Sequence, residues 1–532
     1  MTAVQLQRAR TSPIGDRVRG PVRSAAAAVA VLVIWEILAA TVFRGRFVVP
    51  SPHSVLATAI HDRFYWSDLK VTLQISWKGY AIGNGIALAL AAICLVLPVA
   101  ESGLMTLGVA TYCVPTIAVG PLFVVLYGSD GAKVVMSALS VFFITLVAAV
   151  TGLRAASPAS LDVVTVFGGT RWQQLMRVRL RASIPTLAGG LCISAPAAIL
   201  GTMIGDYLGG DRGLGVIMLQ SQFQLDVKRT WAIAVVSTAV CALAFMVTAL
   251  LARTAGAEVD VPIDAGLTRP RRHRPPLVAG GLATVRLTGA LGFGLLVWIA
   301  LVRSSGLSSY FVKTPGDVWT YLFDGVKGAG HRDVLFHNLG DTIVDAGRGW
   351  AAGTIVAVLA AFALVLAPRA GTVVMPFVIM LRSVPLIAMC PLIGLVFGRE
   401  VLGVTIIAGM VTFVPSLVTI VNGLRTTPRV AVDLVHCFGG TDAAVLRKVR
   451  VPFSAPSLFA AAKISMPGAV LGSVLAEWLI TGRGIGHAMA YDIITSNYSE
   501  LWSSIAVLLV VSLALYVVVG AAETAVRNRV SG

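Results

Sequence analysis

Apolar runs of about 20 residues, separated by short polar segments, recur along nearly the whole chain. A bilayer core about 30 Å thick takes roughly 20 residues of helix. Unpaired backbone amides cannot face lipid, so each run predicts a helix and not a strand. The runs lie near 24–43, 73–97, 104–127, 133–153, 187–205 and 230–252, then near 283–302, 343–367, 373–397, 401–424, 457–476 and 502–525. Twelve spans predict an all-α polytopic membrane protein with both termini on one side. The organisation read from them is a basic N-terminus (1–23), a six-helix domain (24–252), an Arg/Pro-rich linker (253–282), a second six-helix domain (283–527) and a short tail (528–532).

Composition agrees: 57% of residues are hydrophobic, only 13% are charged and the mean hydropathy is +0.85. The net charge of +17 sits between the spans, not on a stripe with interleaved aromatics, which argues against nucleic acid. The segments on the predicted inner side hold 22 Lys and Arg, and outer loops of nearly equal total length hold 14. That asymmetry predicts cytoplasmic termini. The six cysteines form no CxxC pair or disulfide framework and mostly fall in apolar runs, so they are expected to pack as buried thiols.

The two halves repeat each other in one register. Phe167-Gly-Gly-Thr170 recurs as Phe438-Gly-Gly-Thr441, an interval of 271 residues. Asp206-Tyr-Leu with Arg212-Gly-Leu-Gly215 recurs as Glu477-Trp-Leu with Arg483-Gly-Ile-Gly486 at the same interval, as do Ser194 and Pro196 with Ser465 and Pro467. Pro115 and Pro385 belong to a further repeated block, Val-Pro-x-Ile-Ala, at an interval of 270. Copies with an even number of spans insert in the same orientation, and a path between them is the natural place for a substrate.

The segments 154–185 and 425–456 are too polar to span and too patterned to be idle connectors. In the first, a short apolar stretch with Asp162 runs to Phe167. Gly168-Gly169 supplies a left-handed helix end, and Thr170 with Gln173 has capping-box spacing before a basic amphipathic helix. The second copy has Asp433, Phe438, Gly439-Gly440, Thr441 and then a run with Arg447, Lys448 and Arg450. A helix–Gly–helix elbow repeated on the predicted cytoplasmic face suits a docking partner.

Both loops resemble the "EAA" coupling loop of ATP-binding-cassette importer permeases, with the acid at Asp162 or Asp433 and the Gly six residues later. The family's Leu-Pro is Val451-Pro452 in the second copy and Leu180-Arg181, without Pro, in the first. Pro50-Ser-Pro52, the Val-Pro-x-Ile-Ala blocks and Glu477-Trp-Leu resemble the taurine/sulfonate/nitrate type of permease. The resemblance implies a fused form of two six-helix units. Its expected partners are two ATPase subunits gripping the elbows, an extracytoplasmic binding protein and the lipid bilayer. The cargo it implies is a sulfonate-, nitrate- or taurine-like anion or a small heterocycle. The rivals are an ion-coupled secondary transporter with six plus six spans and, within the same class, a ferric-iron or thiamine-type fused permease.

The chain has no Gly-x-x-x-x-Gly-Lys-Ser/Thr loop, no His-Glu-x-x-His and no close Cys/His cluster. It is therefore expected to be non-catalytic, with no metal or cofactor of its own and with ATP and magnesium on partner subunits. Pro115, Ser194, Pro196, Asp206 and their counterparts Pro385, Ser465, Pro467 and Glu477 are candidates for the path or its gate. Asp206 and Glu477 either gate the outer mouth or pair with Arg212 and Arg483 to order the loop that follows. Glu36 reads as a satisfied structural acid in the first span, and Lys463 as a residue that snorkels from the inner end.

Overall fold

The computed structural model describes residues 29, 32–42, 49–62, 65–96, 103–105, 108, 111, 116–254, 292, 294–296, 298–300, 302–304, 306–368, 370–371, 374–375, 378 and 386–530. Pro115, Pro385, Cys113 and most of the Arg/Pro-rich linker lie outside them. The first half runs α1 (Pro52–His61), α2 (Tyr65–Val96), α3 (116–127), α4 (129–154), α5 (Pro158–Val166), α6 (Arg171–Tyr207), α7 (Leu214–Phe223) and α8 (Val227–Thr254). The second repeats that order as α9 (Pro315–Phe323), α10 (Gly325–Leu366), α11 (Leu386–Phe397), α12 (Val401–Arg425), α13 (Arg429–Cys437), α14 (442–453), α15 (Ala455–Leu479), α16 (Gly484–Ile494) and α17 (Tyr498–Val530). No strand occurs among the described residues.

Eight helices among the described residues are long and apolar enough to cross a membrane. One of them, Val119–Arg154, would be about 54 Å long if straight, well beyond one crossing. It breaks at Gly128 (φ 70°, ψ 177°), which separates α3 from α4 as residues 398–400 separate α11 from α12. The two spans read near 104–127 and 133–153 therefore meet at one glycine.

The fifth span differs from expectation. Instead of a separate amphipathic helix followed by a span from 187, α6 is one continuous helix with a π-type turn at Leu175–Arg179. The second half has the same π-type turn at Leu446–Arg450 but ends α14 at Phe453, with Ser454 as a non-helical break before α15 begins. Both halves have a proline at the start of the span, Pro185 and Pro456, and only the second has Pro452 four residues earlier. Two prolines on successive turns remove two helix donors from one face, so the helix gives way there and not at Arg181.

Within each half, helices cross at a pair of glycines. A Cβ added at Gly83 of α2 would meet the Ala138 carbonyl oxygen of α4 at 2.5 Å, and one at Gly353 of α10 would meet that of Gly409 of α12 at 2.5 Å. Gly79 and Gly349 sit one turn earlier against Ser137 and Ala408. These are small-xxx-small crossings, which let membrane helices approach closely enough for dispersion to hold them.

One core joins the halves. Ile117 and Leu122 of α3, with Ile204 and Tyr207 at the end of α6, pack into a cluster that contains Ile387 and Cys390 of α11, Val474 of α15 and Ile485 and Met489 of α16. Cys94, Cys192, Cys241 and Cys390 are buried thiols, as expected, whereas Cys437 is exposed at the end of α13.

Candidate functional site: the repeated elbows and buried clamps

In the first elbow Ser157 caps α5 by accepting from the Ser160 amide at 3.1 Å, and Pro158 pre-sets the first helical turn. Gly168 then adopts φ +73°. Its amide donates to the Thr165 carbonyl at 2.9 Å and that of Gly169 to Val164 at 2.8 Å, the paired bonds of a Schellman end. The two glycines serve different needs. Gly168 has open space around it but a left-handed backbone, whereas a Cβ on Gly169 would lie 2.6 Å from the Val164 carbonyl oxygen.

Thr170 Oγ1 accepts from the Gln173 amide at 3.3 Å, and Gln173 Oε1 accepts from the Thr170 amide at 3.0 Å. The capping box expected from spacing is thus formed. The second elbow follows suit, with Gly439 at φ +74°, the Gly440 amide on Val435 at 2.9 Å and Thr441 accepting from the Ala444 amide at 3.3 Å. Asp442 replaces the box and lies 3.6 Å from the His436 ring.

Neither α5 nor α13 has a buried residue. Phe167 is 86% exposed and Phe438 85%, with Val166 and Val430 also exposed on the short helices that carry them. Asp162, Asp433 and Pro452 are exposed as well. Large apolar side chains thus stand exposed at two repeat-related points on rigidly capped turns, not covered by any of the described residues.

At the opposite ends of α6 and α15 each half has a buried clamp. Asp206 Oδ2 accepts from the Gly215 amide at 3.1 Å, and Thr72 Oγ1 accepts from Leu214 at 2.9 Å. In the second half Glu477 Oε2 accepts from Gly486 at 2.9 Å, and Thr342 Oγ1 accepts from Ile485 at 2.9 Å. Both acids thus order the following loop and seat the N-terminus of α7 or α16, a place where negative charge is favoured.

The pairing partners are not the two arginines. Asp206 faces Lys133 Nζ at 3.5 Å, and that ammonium also donates to the Arg212 carbonyl at 2.9 Å. Arg483 pairs with Asp345 of α10 at 3.2 Å, and Glu477 instead receives the Thr342 hydroxyl at 2.8 Å. Lys133, Thr72, Thr342 and Asp345 carry no motif that spacing could flag. A lone Lys or Asp inside an apolar run was the available signal.

Ser194, Pro196, Ser465 and Pro467 are all buried. Ser465 accepts from the Trp350 indole at 3.1 Å, and the Pro196 carbonyl faces the Cys241 thiol. Glu36 lies 3.1 Å from His53, next to Trp35, which donates to the Pro50 carbonyl at 3.1 Å. Lys463 is paired: its ammonium sits 3.5 Å from Glu523 and 4.9 Å from the Tyr516 ring centre, with the side chain 16% exposed.

Comparison with known proteins gives the same duplication. The model of the family "binding-protein-dependent transport system inner membrane component" matches residues 81–256 and again 353–532. A probable ABC transporter permease protein of Haemophilus influenzae is 30% identical over 214 residues, 40% of this chain and 87% of that protein. The formylaminopyrimidine transport permease protein ThiX of Halalkalibacterium halodurans is 28% identical over 198 residues, 37% of this chain and 79% of the relative. The taurine transport system permease protein TauC of Escherichia coli is 23% identical over 199 residues, covering 37% and 72%. Each of these relatives matches about two fifths of the chain. The chain belongs to the binding-protein-dependent transport system inner membrane component family and is an ABC transporter permease subunit that carries the family's unit twice.

Proposed function

We propose that this chain alone supplies the whole membrane path of an importer, with two ATPase subunits docked on the elbows at 158–170 and 429–441. An extracytoplasmic binding protein delivers the cargo to the opposite face, and both termini and the elbows are cytoplasmic. The observation that carries this reading is the repeated elbow: two capped turns, each presenting one Phe about 85% exposed, at the same point of each half. Gly168, Gly169, Thr170, Gly439, Gly440 and Thr441 shape the turns, and Asp162 and Asp433 stand exposed on the short helices before them. Phe167 and Phe438 are the inserted anchors. Basic residues in the π-type turns just beyond, Arg177, Arg179, Arg447, Lys448 and Arg450, fit the inner side of a membrane.

A rigid elbow transmits motion where a flexible loop would absorb it. Closure of two ATPase subunits on ATP would then rock one half against the other across the core around Ile117, Ile387 and Ile485. The cargo class is a small sulfonate- or taurine-like anion or a small heterocycle, drawn from the names of the relatives, which span both chemistries.

The test is affinity purification of the tagged chain in mild detergent from its host. Two ATPase chains per permease are expected, and Phe167→Ala with Phe438→Ala should lower their retention by about tenfold or more, as loss of interface anchors does. Unchanged retention in the double variant would remove the elbows from the docking surface.

A further inference from the structure

The two halves differ at one buried point near the junction between them. Asp492 of α16 is 3% exposed, and its Oδ2 has no hydrogen-bond partner among the described residues. The charged group that acts on it is Glu500 of α17, another carboxylate. Glu500 Oε2 is held by the Asn497 amide group at 2.8 Å and lies 3.5 Å from the Tyr321 hydroxyl of α9. Tyr321 in turn feels both acids, and its ring stacks on His331 of α10 at 4.1 Å. No Lys or Arg is paired with either acid among the described residues.

The first half shows what a neutral solution looks like. The position of Asp492 is Ser221 there, which donates to the Ile217 carbonyl at 2.7 Å. The position of Glu500 is Arg229, paired with Asp62 at 2.9 Å. The same fold therefore forms without the two acids, and they are an addition confined to the second half.

The placement of Asp492 gives it leverage. Ile485 and Met489, on the same short helix as Asp492, lie in the core that joins the halves, and α16 touches the helix pair α3–α4 of the first half. We infer that Asp492 makes this junction sensitive to pH: α16 stays seated while the carboxyl keeps its proton, and loosens when the proton passes to solvent and a buried carboxylate is left to repel Glu500.

Burial, with Glu500 adding to it, pushes Asp492 up to about 8. The sign follows from linkage. With its proton bound more tightly in the fold than in the open chain, the group contributes its full stabilisation below the ordinary carboxylate range, and that contribution is lost as pH rises to about 8.

The test is hydrogen exchange on the full chain in lipid nanodiscs, from about pH 6 to about pH 9 and corrected for intrinsic exchange. It reads the junction whatever the cargo, so its failure leaves the importer reading untouched. Peptides covering α16 should exchange about tenfold faster above the step, while α7 in the first half shows no step. Asp492→Ser, which installs the first half's residue, should abolish the step. Glu500→Gln should move its midpoint down by about one pH unit. A step that survives Asp492→Ser, a midpoint unmoved by Glu500→Gln, or equal steps in α7 and α16 would overturn the inference.

Discussion

Lys133 Nζ and Asp206 Oδ1 lie 3.5 Å apart with both side chains buried, whereas the same two positions in the second half hold Val404 and Glu477. One clamp is ionic, and the other rests on a threonine hydroxyl and a backbone amide. Duplicated halves thus keep the geometry of the loop but not the means of satisfying its acid.

Removing the cation should expose this difference. Lys133→Met leaves Asp206 buried without its charge partner and is expected to cost about 3–5 kcal/mol. Thermal unfolding in detergent would read it. The double variant with Asp206→Asn should recover much of the loss, and strictly additive losses would show that the two side chains do not act as a pair.

The threonines offer a matched comparison. Thr342 accepts from Ile485 and donates to Glu477, while Thr72 is bonded to Leu214 without that second role. Thr342→Val should therefore destabilise more than Thr72→Val, by about 1–3 kcal/mol, because it strands a buried carboxylate oxygen as well as an amide. Equal unfolding temperatures for the two variants would contradict the assignment.

Helix crossings should tolerate no added carbon. Gly83→Ala and Gly353→Ala push a methyl group into a facing carbonyl and are expected to cost about 1–3 kcal/mol each. Gly85→Ala meets nothing within 4 Å and should be neutral or stabilising by a few tenths to about 1 kcal/mol through helix propensity. The three variants, compared by melting in the same detergent, provide their own control.

At the elbows the obstacle is the backbone and not space. Gly168→Val and Gly439→Val impose a β-branched residue on φ of +73° and +74°, a cost of about 1–2 kcal/mol each. Asn at the same positions should be tolerated, since its side chain suits the left-handed region. ATPase-coupled uptake in vesicles should fall with Val and persist with Asn. Loss with both would mean that a side chain, not the turn, is what the partner rejects.

Much of this molecule is legible in the chain alone. Spans follow from the length of apolar runs, because a bilayer imposes one length and one kind of hydrogen bonding on every crossing. The elbows follow too, since a Gly-Gly helix end and a Thr cap are local devices whose partners lie within about six residues. That is why Gly168, Thr170 and Gln173 take the conformations and bonds that spacing predicts.

What stayed hidden joins residues distant in sequence. Asp206 was readable as a special acid, but its cation comes from 73 residues earlier and its amide partner from beyond a turn. Glu477 and Arg483 looked like a pair, yet each found its partner on α10. Glu500 carried no motif, and only the packing of α9 against α17 brings the Tyr321 hydroxyl to it from far along the chain. Periodicity and capping are properties of a segment and survive in the string of letters. The neutralising of a buried charge depends on which helices cross, and that is settled only when the helices pack.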